Sequence, residues 1–379
     1  MPIRRNNVKI LITGADGFIA KNLILRISEH KQHAVLPYSR ANKIEDLAEL
    51  VATADAVIHL AGVNRPQDPS EFRTGNADLT IALCDALRAS KREVPVIYSS
   101  SIQAAASNPY GQSKLAAEEA LRAYATESKA PVYIYRLPNV FGKWARPNYN
   151  SAIATFCHNI VNDLPITIHD ATAPLTLVYV DDVIDEFLDT ITHLPPPQTL
   201  HNVRVQYKTT VGEVAETLRA FKASVKNLVT EPVGTGLIRA LYSTYVSYLP
   251  PTQFSYEVPK YGDPRGEFVE MLKTHTSGQF SYFTAHPGVT RGGHYHHSKT
   301  EKFLVIRGDA LFRFRHMISG ETYELRTQGG HPQIVDTVPG WTHDITNVGD
   351  TELVVMLWAN EIFDRARPDT ISAPLPPLN

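Results

Sequence analysis

Two groups of residues in this chain have the types and spacings that reactions need. In R-G-G-H-Y-H-H-S-K-T-E, residues 291–301, three histidines and a glutamate fall between His294 and Glu301. His294 and His296 are two apart, so on a strand they point to one face, and Glu301 falls on the next strand. P-G-W-T-H-D-I-T-N at 339–347 adds His343. Imidazole nitrogens with one carboxylate suit zinc, iron or nickel better than calcium or magnesium, and zinc is the expected ion. Far upstream, L-I-T-G-A-D-G-F-I-A sets Gly14 and Gly17 in a turn between an apolar strand and a helix, with Asp16, Phe18 and Ile19 completing the turn. Such a turn brings backbone close to a pyrophosphate, and the helix start offers oriented N–H donors. Ala20 stands where a third glycine is usual.

Residues further along extend this second group. P-Y-S-R at 37–40 puts Arg40 where an acidic residue would bind a ribose hydroxyl. An arginine there suits a 2′-phosphate, so NADPH is expected over NADH. H-L-A-G at 59–62 leaves a strand through Leu60, Ala61 and Gly62, which permit close packing beside an adenine. In S-S-S-I-Q-A-A-A-S-N-P-Y-G-Q-S-K, Tyr110 and Lys114 are four apart and share a helix face. A nearby ammonium lowers a tyrosine's pKa, which lets the phenol exchange a proton with a carbonyl or alcohol oxygen. A serine hydroxyl from the preceding strand end can hold that oxygen.

Two kinds of scaffold are needed to position these residues. Val8–Thr13 and the runs 56–60 and 94–99 read as short buried strands, with helical stretches such as 21–28 and 78–89 between them. That alternation implies an α/β, doubly wound parallel sheet, which 132–136 and 175–179 continue. Turn-rich stretches at 194–198 and 248–266 follow. Beyond them, 268–273, 279–285, 302–306, 311–316, 321–326 and 353–357 are strand-like and lack helical periodicity, an all-β signature. The expected division is therefore 1–250 and 251–379, with I-S-A-P-L-P-P-L-N as a loosely held tail.

The bulk composition sets limits. A chain of 379 residues exceeds one ordinary core, and 43% hydrophobic with 20% charged residues fits a globular protein. A net charge of -2 and no basic patch argue against a nucleic-acid partner. No apolar stretch suits a signal peptide or membrane span. Cys84 and Cys157 lie far apart, as suits a reducing cytoplasm.

The glycine turn, serine cluster and Y-x-x-x-K, in that order, resemble the extended short-chain dehydrogenase/reductase family over roughly residues 8–245. R-L-P-N-V-F-G at 136–142 and V-Y-V-D-D-V at 178–183 resemble its later motifs. The resemblance implies a Rossmann fold, a nicotinamide cofactor and a nucleotide-sugar substrate. It makes Tyr110 the acid/base, Lys114 its partner and ribose contact, Ser101 the third member, and Asn76 a residue near the cofactor. Eight residues separate Ser101 from Tyr110, fewer than is usual, which leaves Ser100 as a substitute. Residues 253–367 resemble the cupin superfamily, a small β-barrel. Gly288, His294, His296, Glu301 and Gly308 match its first motif, and Gly340, His343 and Asn347 its second, with Pro339 shifted.

The order reductase-then-cupin, with stretches such as P-N-Y-N-S-A-I-A-T-F-C and L-Y-S-T-Y-V-S-Y-L-P, is similar over essentially the whole chain to the bifunctional capsular polysaccharide-assembling enzymes. This implies a UDP-2-acetamido-2,6-dideoxy-4-hexulose as substrate, on the route to UDP-N-acetyl-L-fucosamine. The cupin would epimerise C3, and the Rossmann domain would reduce the C4 ketone with NADPH to UDP-2-acetamido-2,6-dideoxy-L-talose. A homodimer or higher homo-oligomer is expected from the same resemblance. His297 or Tyr295 is the candidate epimerase base. Two alternatives stay open: a 4-ketoreductase with a non-catalytic cupin for binding or dimerisation, and an NADP- or sugar-sensing regulator.

Overall fold

A computed structural model describes residues 7–30 and 33–377. The chain divides into two compact units. One runs to Leu218 and takes in Ala240–Tyr248; the other comprises Arg219–Arg239 and the chain from Leu249 onward.

The first unit is built on five parallel strands: β1 (Val8–Thr13), β2 (His33–Tyr38), β3 (Ala56–His59), β4 (Val96–Ser101) and β5 (Val132–Leu137). Their order is β2-β1-β3-β4-β5. β1 reads V-K-I-L-I-T because it is covered on both faces. Ile10 and Ile12 pack into one core with Leu23 and Ile27; Leu11 packs into the other with Leu83 and Leu121. The chain turns to β2 on one side of β1 and then crosses to β3 on the other. Ligands bind at such a switch point, beyond the carboxyl ends of the strands. The run 175–179 does not continue this sheet. It lies in β7 (Pro174–Tyr179) of a separate sheet with β6 (Asn139–Phe141), parallel to it, and β8 (Tyr207–Thr210), antiparallel.

The second unit is antiparallel β, a cupin-type barrel of two sheets. Its strands are β9 (Lys260–Asp263), β10 (Gly266–Thr274), β11 (Gly278–Ala285), β12 (Thr290–Tyr295), β13 (Glu301–Arg307), β14 (Asp309–His316), β15 (Thr322–Gln328), β16 (Ile334–Asp336), β17 (Trp341–Asn347), β18 (Leu353–Ala359) and β19 (Ile371–Ser372). The sheets run β16-β13-β18-β11-β10-β9 and β15-β14-β17-β12-β19. Phe283, Phe303 and Val355 from one meet Phe312, Phe314 and Ile345 from the other in one core. The expected loose tail is instead stitched down. β19 pairs with β12, Ala373 N–H donates to Gly293 at 2.8 Å, and Arg313 donates to the Pro376 carbonyl at 2.7 Å. Proline-rich sequence removes donors, but its carbonyls still accept.

Candidate active sites

At the switch point of the parallel sheet, Gly14 has φ +70° and its α-carbon faces Ala61 so closely that an added Cβ would lie 2.7 Å from Ala61 Cα. The turn from β1 therefore nests against the turn from β3. Asp16 and Gly17 are exposed at its tip, and Phe18 and Ile19 begin the helix Phe18–His30 half-buried. Leu60 and Ala61 are half-buried and Gly62 is exposed beside them. A Cβ on Gly62 would sit 2.9 Å from Asn76 Oδ1 and 3.6 Å from Lys114 Nζ. Asn76 is buried in a π-helical turn, Arg73–Asp78, and its amide is committed to protein partners. It accepts from Val63 N at 2.8 Å and donates to the Val63 carbonyl at 3.1 Å and to Ser113 Oγ at 2.9 Å. Its visible work is to hold the 60–63 turn onto the helix that carries Ser113. Arg40 stands exposed just past β2.

The helix that carries Ser113, Pro109–Ser128, starts with Asn108 capping the Gly111 N–H at 2.8 Å and proline in the first turn. It carries Tyr110, half-buried, and Lys114, buried. Lys114 Nζ donates to the Ser99 carbonyl at 2.8 Å and lies 4.7 Å over the Tyr98 ring. Burial lowers its pKa to about 8, with Glu118 pulling the other way. The Tyr110 phenol does not have the lowered pKa the spacing suggests. Burial raises it, more than the facing Ser101 hydroxyl lowers it. The lysine's charge is directed at Ser99 and Tyr98 instead. Ser100, the substitute for Ser101, is engaged elsewhere: its hydroxyl donates to Glu118 Oε1 at 2.5 Å, and Arg136 holds the same carboxylate with two bonds of 2.8 Å.

The short gap between Ser101 and Tyr110 is bridged by a 3-10 turn, Ile102–Ala105, folded back on the helix start. Gly111 makes this possible. A Cβ there would fall 2.2 Å from the Gln103 carbonyl and 2.5 Å from that of Ala106. Its signal was the glycine directly after Tyr110 in N-P-Y-G. The glycine turn with its exposed tip and the small residues 60–62 packed beside it fit a nicotinamide dinucleotide.

In the second unit, β12 and β17 pair with His294 directly opposite His343, past a bulge between Gly292 and His294. Glu301 opens β13. β12 ends at Tyr295, so His296 lies just beyond the strand, yet its ring is 5.0 Å from that of His294 and 5.2 Å from that of His343. One ligand-type atom from each of His294, His296, Glu301 and His343 lies within 4.8 Å of the others. Both ring nitrogens of His343 are buried without a hydrogen-bond partner. His296 Nε2 and His343 Nε2 stand 3.3 and 3.5 Å from Glu301 Oε2. Orphaned imidazole nitrogens turned to a carboxylate are what a divalent metal would satisfy, so the set fits one. Burial lowers His294 to about 4, aided by its histidine neighbours. Burial pushes the Glu301 carboxyl up, but His296, His343 and Lys299 together hold it well below the usual range.

His294, Glu301 and His343 open on a cavity of about 170 Å³ also walled by Phe283, Phe303, Phe312, Arg291 and Asp344. His297 and Tyr295, the expected bases, do not line it, and His297 is exposed. The strand pleat that turns His294 inward turns Tyr295 away. The sequence reading missed three charged groups here. Lys299 is buried and its ammonium lies 2.8 Å from Glu301 Oε1. Asp344 is buried and held by Arg313, its cross-strand neighbour, through bonds of 3.0 and 2.5 Å. Arg291 lies 5.3 Å from the Phe283 ring with its Nε buried and unpartnered.

Among the described residues no helix is long and apolar enough to cross a membrane. Residues 10–202 match the NAD dependent epimerase/dehydratase family, and residues 261–371 match the Polysaccharide biosynthesis C-terminal domain. Over 363 residues the chain is 57% identical to the UDP-2-acetamido-2,6-beta-L-arabino-hexul-4-ose reductase of Pseudomonas aeruginosa, covering 96% of this chain and 98% of that protein. The crystal structure of the capsular polysaccharide assembling protein CapF from Staphylococcus aureus aligns with a TM-score of 0.89 at 42% identity, over 97% of this chain and 100% of that one. RMD from Pseudomonas aeruginosa, complexed with NADPH, shares the fold of 64% of this chain, and 97% of its own is covered, at a TM-score of 0.54 and 20% identity. The chain therefore belongs to the NAD dependent epimerase/dehydratase family and carries that domain in the CapF-like pairing with a C-terminal β domain.

Proposed function

We propose that the chain is a bifunctional nucleotide-sugar enzyme, with a reductase domain over 1–250 and a cupin domain over 251–379. Its substrate is a UDP-2-acetamido-2,6-dideoxy-4-hexulose. In the parallel-sheet unit the ketone at C4 is reduced; NADPH, when bound, supplies the hydride. Ser101 holds the carbonyl oxygen, and Tyr110 delivers a proton as that oxygen becomes an alkoxide. The raised phenol pKa keeps this proton in place until it is needed. Lys114 contacts the cofactor ribose, while Gly14, Asp16, Gly17, Phe18, Ile19, Leu60, Ala61 and Gly62 cradle the dinucleotide and Arg40 takes the 2′-phosphate.

In the cupin cavity the same ketone acidifies the hydrogen on C3. Loss of that proton and its return to the other face inverts the carbon. A divalent metal, expected to be zinc, supplies positive charge beside the developing enolate when held by His294, His296, Glu301 and His343. The unpartnered Nε of Arg291, whose guanidinium otherwise reaches the Glu267 carbonyl, supports a second oxygen-binding donor on the same wall. The product would be UDP-2-acetamido-2,6-dideoxy-L-talose. The observation that carries this reading is the metal-type cluster on an apolar cavity, in a chain 57% identical to a hexul-4-ose reductase. Product analysis with Tyr110→Phe and Glu301→Gln tests it. Tyr110→Phe should accumulate C3-epimerised ketone, and Glu301→Gln should leave C3 uninverted. Unchanged product from Glu301→Gln would refute the cupin step.

A second reading has one observation behind it. The Pseudomonas aeruginosa relative is named for its reductase activity. On that reading the cupin binds or assembles, and Glu301→Gln would change metal content without changing stereochemistry.

A further inference from the structure

We propose that the segment around Asp369 is a clasp for the metal-type site, with Asp369 a positioning residue for His296 and for the loop between β12 and β13. This rests on the metal reading above. The Asp369 carboxylate accepts from three successive backbone N–H groups: His297 at 2.9 Å, Ser298 at 2.7 Å and Lys299 at 2.8 Å. It also accepts from Ser298 Oγ at 2.9 Å. Consecutive N–H groups gathered on one anion form a closed concave turn. That turn and Thr300, which Asn360 holds, connect the histidine pair to Glu301, so the turn's shape helps set how the two sides of the site meet.

The backbone of the same residue reaches His296. Its ring Nδ1 lies 2.5 Å from the Asp369 carbonyl oxygen. A carbonyl can only accept, so Nδ1 carries the hydrogen, and Nε2, 3.3 Å from Glu301 Oε2, is the ring nitrogen left to face a metal. An outer partner that fixes a ligand histidine's tautomer and ring direction is a general device of metal sites. Immediately downstream the clasp continues: Ile371 pairs with Tyr295 and Ser372 with His294. One short segment, some seventy positions from the loop, thus grips both histidines of the pair and the turn after them. Nothing in the local sequence R-P-D-T marks Asp369 as part of a metal site.

The test uses the full chain as wild type, Asp369→Asn and Asp369→Ala, stripped with chelator and reloaded with Zn(II) or Co(II). Zinc affinity is read by competition with a chromophoric chelator, and ligand geometry by the visible spectrum of the Co(II) form. The clasp predicts zinc binding weaker by about 10- to 100-fold in Asp369→Ala, with an altered Co(II) spectrum. Asp369→Asn keeps the volume and shifts the same way by less, which guards against a variant that fails to fold. The metal-free variants should stay folded by circular dichroism, although losing bonds to Asp369 lowers their unfolding temperature, so that zinc affinity is read on a folded chain. Zinc affinity within twofold of wild type and an unchanged Co(II) spectrum would overturn the positioning role alone. So would an equal loss of stability in the metal-free forms with affinity intact. A wild-type chain that takes up neither ion overturns the metal reading and this one together.

Discussion

Replacing Lys114 by methionine should remove activity and strengthen the fold at once. The ammonium is buried, and its pKa is lowered from 10.5 to about 8, burial outweighing the pull of Glu118. That depression opposes folding by roughly 3 kcal/mol while the group is charged. Methionine avoids this term and packs a similar stem. A neutral amine would still donate to the Ser99 carbonyl, so the variant forfeits about 1 kcal/mol of hydrogen bonding. The balance is a stabilisation of about 2 kcal/mol near neutral pH, or roughly 4–8 °C in the unfolding midpoint of this unit. The folded pKa lies below the unfolded one. Between about pH 8 and 10.5 the unfolded chain therefore binds more protons, and wild-type stability rises with pH. Lys114→Met lacks that rise, so the gap should close as pH approaches about 9.5. Denaturant unfolding of both proteins across this range measures it, beside a ketone-reduction assay in which the variant should fall about 10²- to 10⁴-fold. A variant less stable than wild type near neutral pH, or a gap that does not change with pH, would show that Lys114 is not held as a strained charge.

Other expectations follow from neighbouring geometry. Tyr110→Phe should lower ketone reduction by about 10²- to 10⁴-fold while NADPH binding, followed by fluorescence titration, stays near wild type. Glu301→Gln should lose bound metal in elemental analysis and also destabilise the unit by about 3 kcal/mol, because Lys299, 2.8 Å away and buried, loses its counter-charge. Gly111→Ala should cost about 1–3 kcal/mol in denaturant unfolding and lower the reduction rate, since its methyl group would displace the 3-10 turn that follows Ser101. Arg313→Met should destabilise by about 3 kcal/mol or more in the same assay, by leaving Asp344 buried and unpaired.

Much of the architecture could be read from patterns with a direct physical cause. β1 is legible because a strand covered on both faces must be apolar nearly throughout. The short strands after residue 260 are legible because turn residues interrupt them and no helical period survives. The run 175–179 was misassigned because apolar, β-branched residues report burial, and burial does not say which sheet a strand joins. His294 and His296 were expected together from the pleat of one strand, with His343 added by residue type. The four do gather, but His296 lies past the end of β12, so a distant carbonyl rather than the pleat orients it. Lys299 and Arg291 look like ordinary surface cations in the sequence; only the folded barrel removes their solvent. The tail reads as loose because prolines lack donors, whereas here Ala373 donates to Gly293 and the Pro376 carbonyl accepts from Arg313.

The central claim is that two sites on one chain act on neighbouring carbons of one ketone. NMR of the 4-keto-6-deoxy UDP-N-acetylhexosamine in deuterated water, first without and then with NADPH, tests it most directly. The account predicts deuterium at C3 without NADPH, dependent on the metal-loaded cupin, followed by loss of the ketone when NADPH is added. Loss of the ketone with NADPH and no exchange at C3 beforehand would contradict it, leaving a reductase whose second domain binds or assembles.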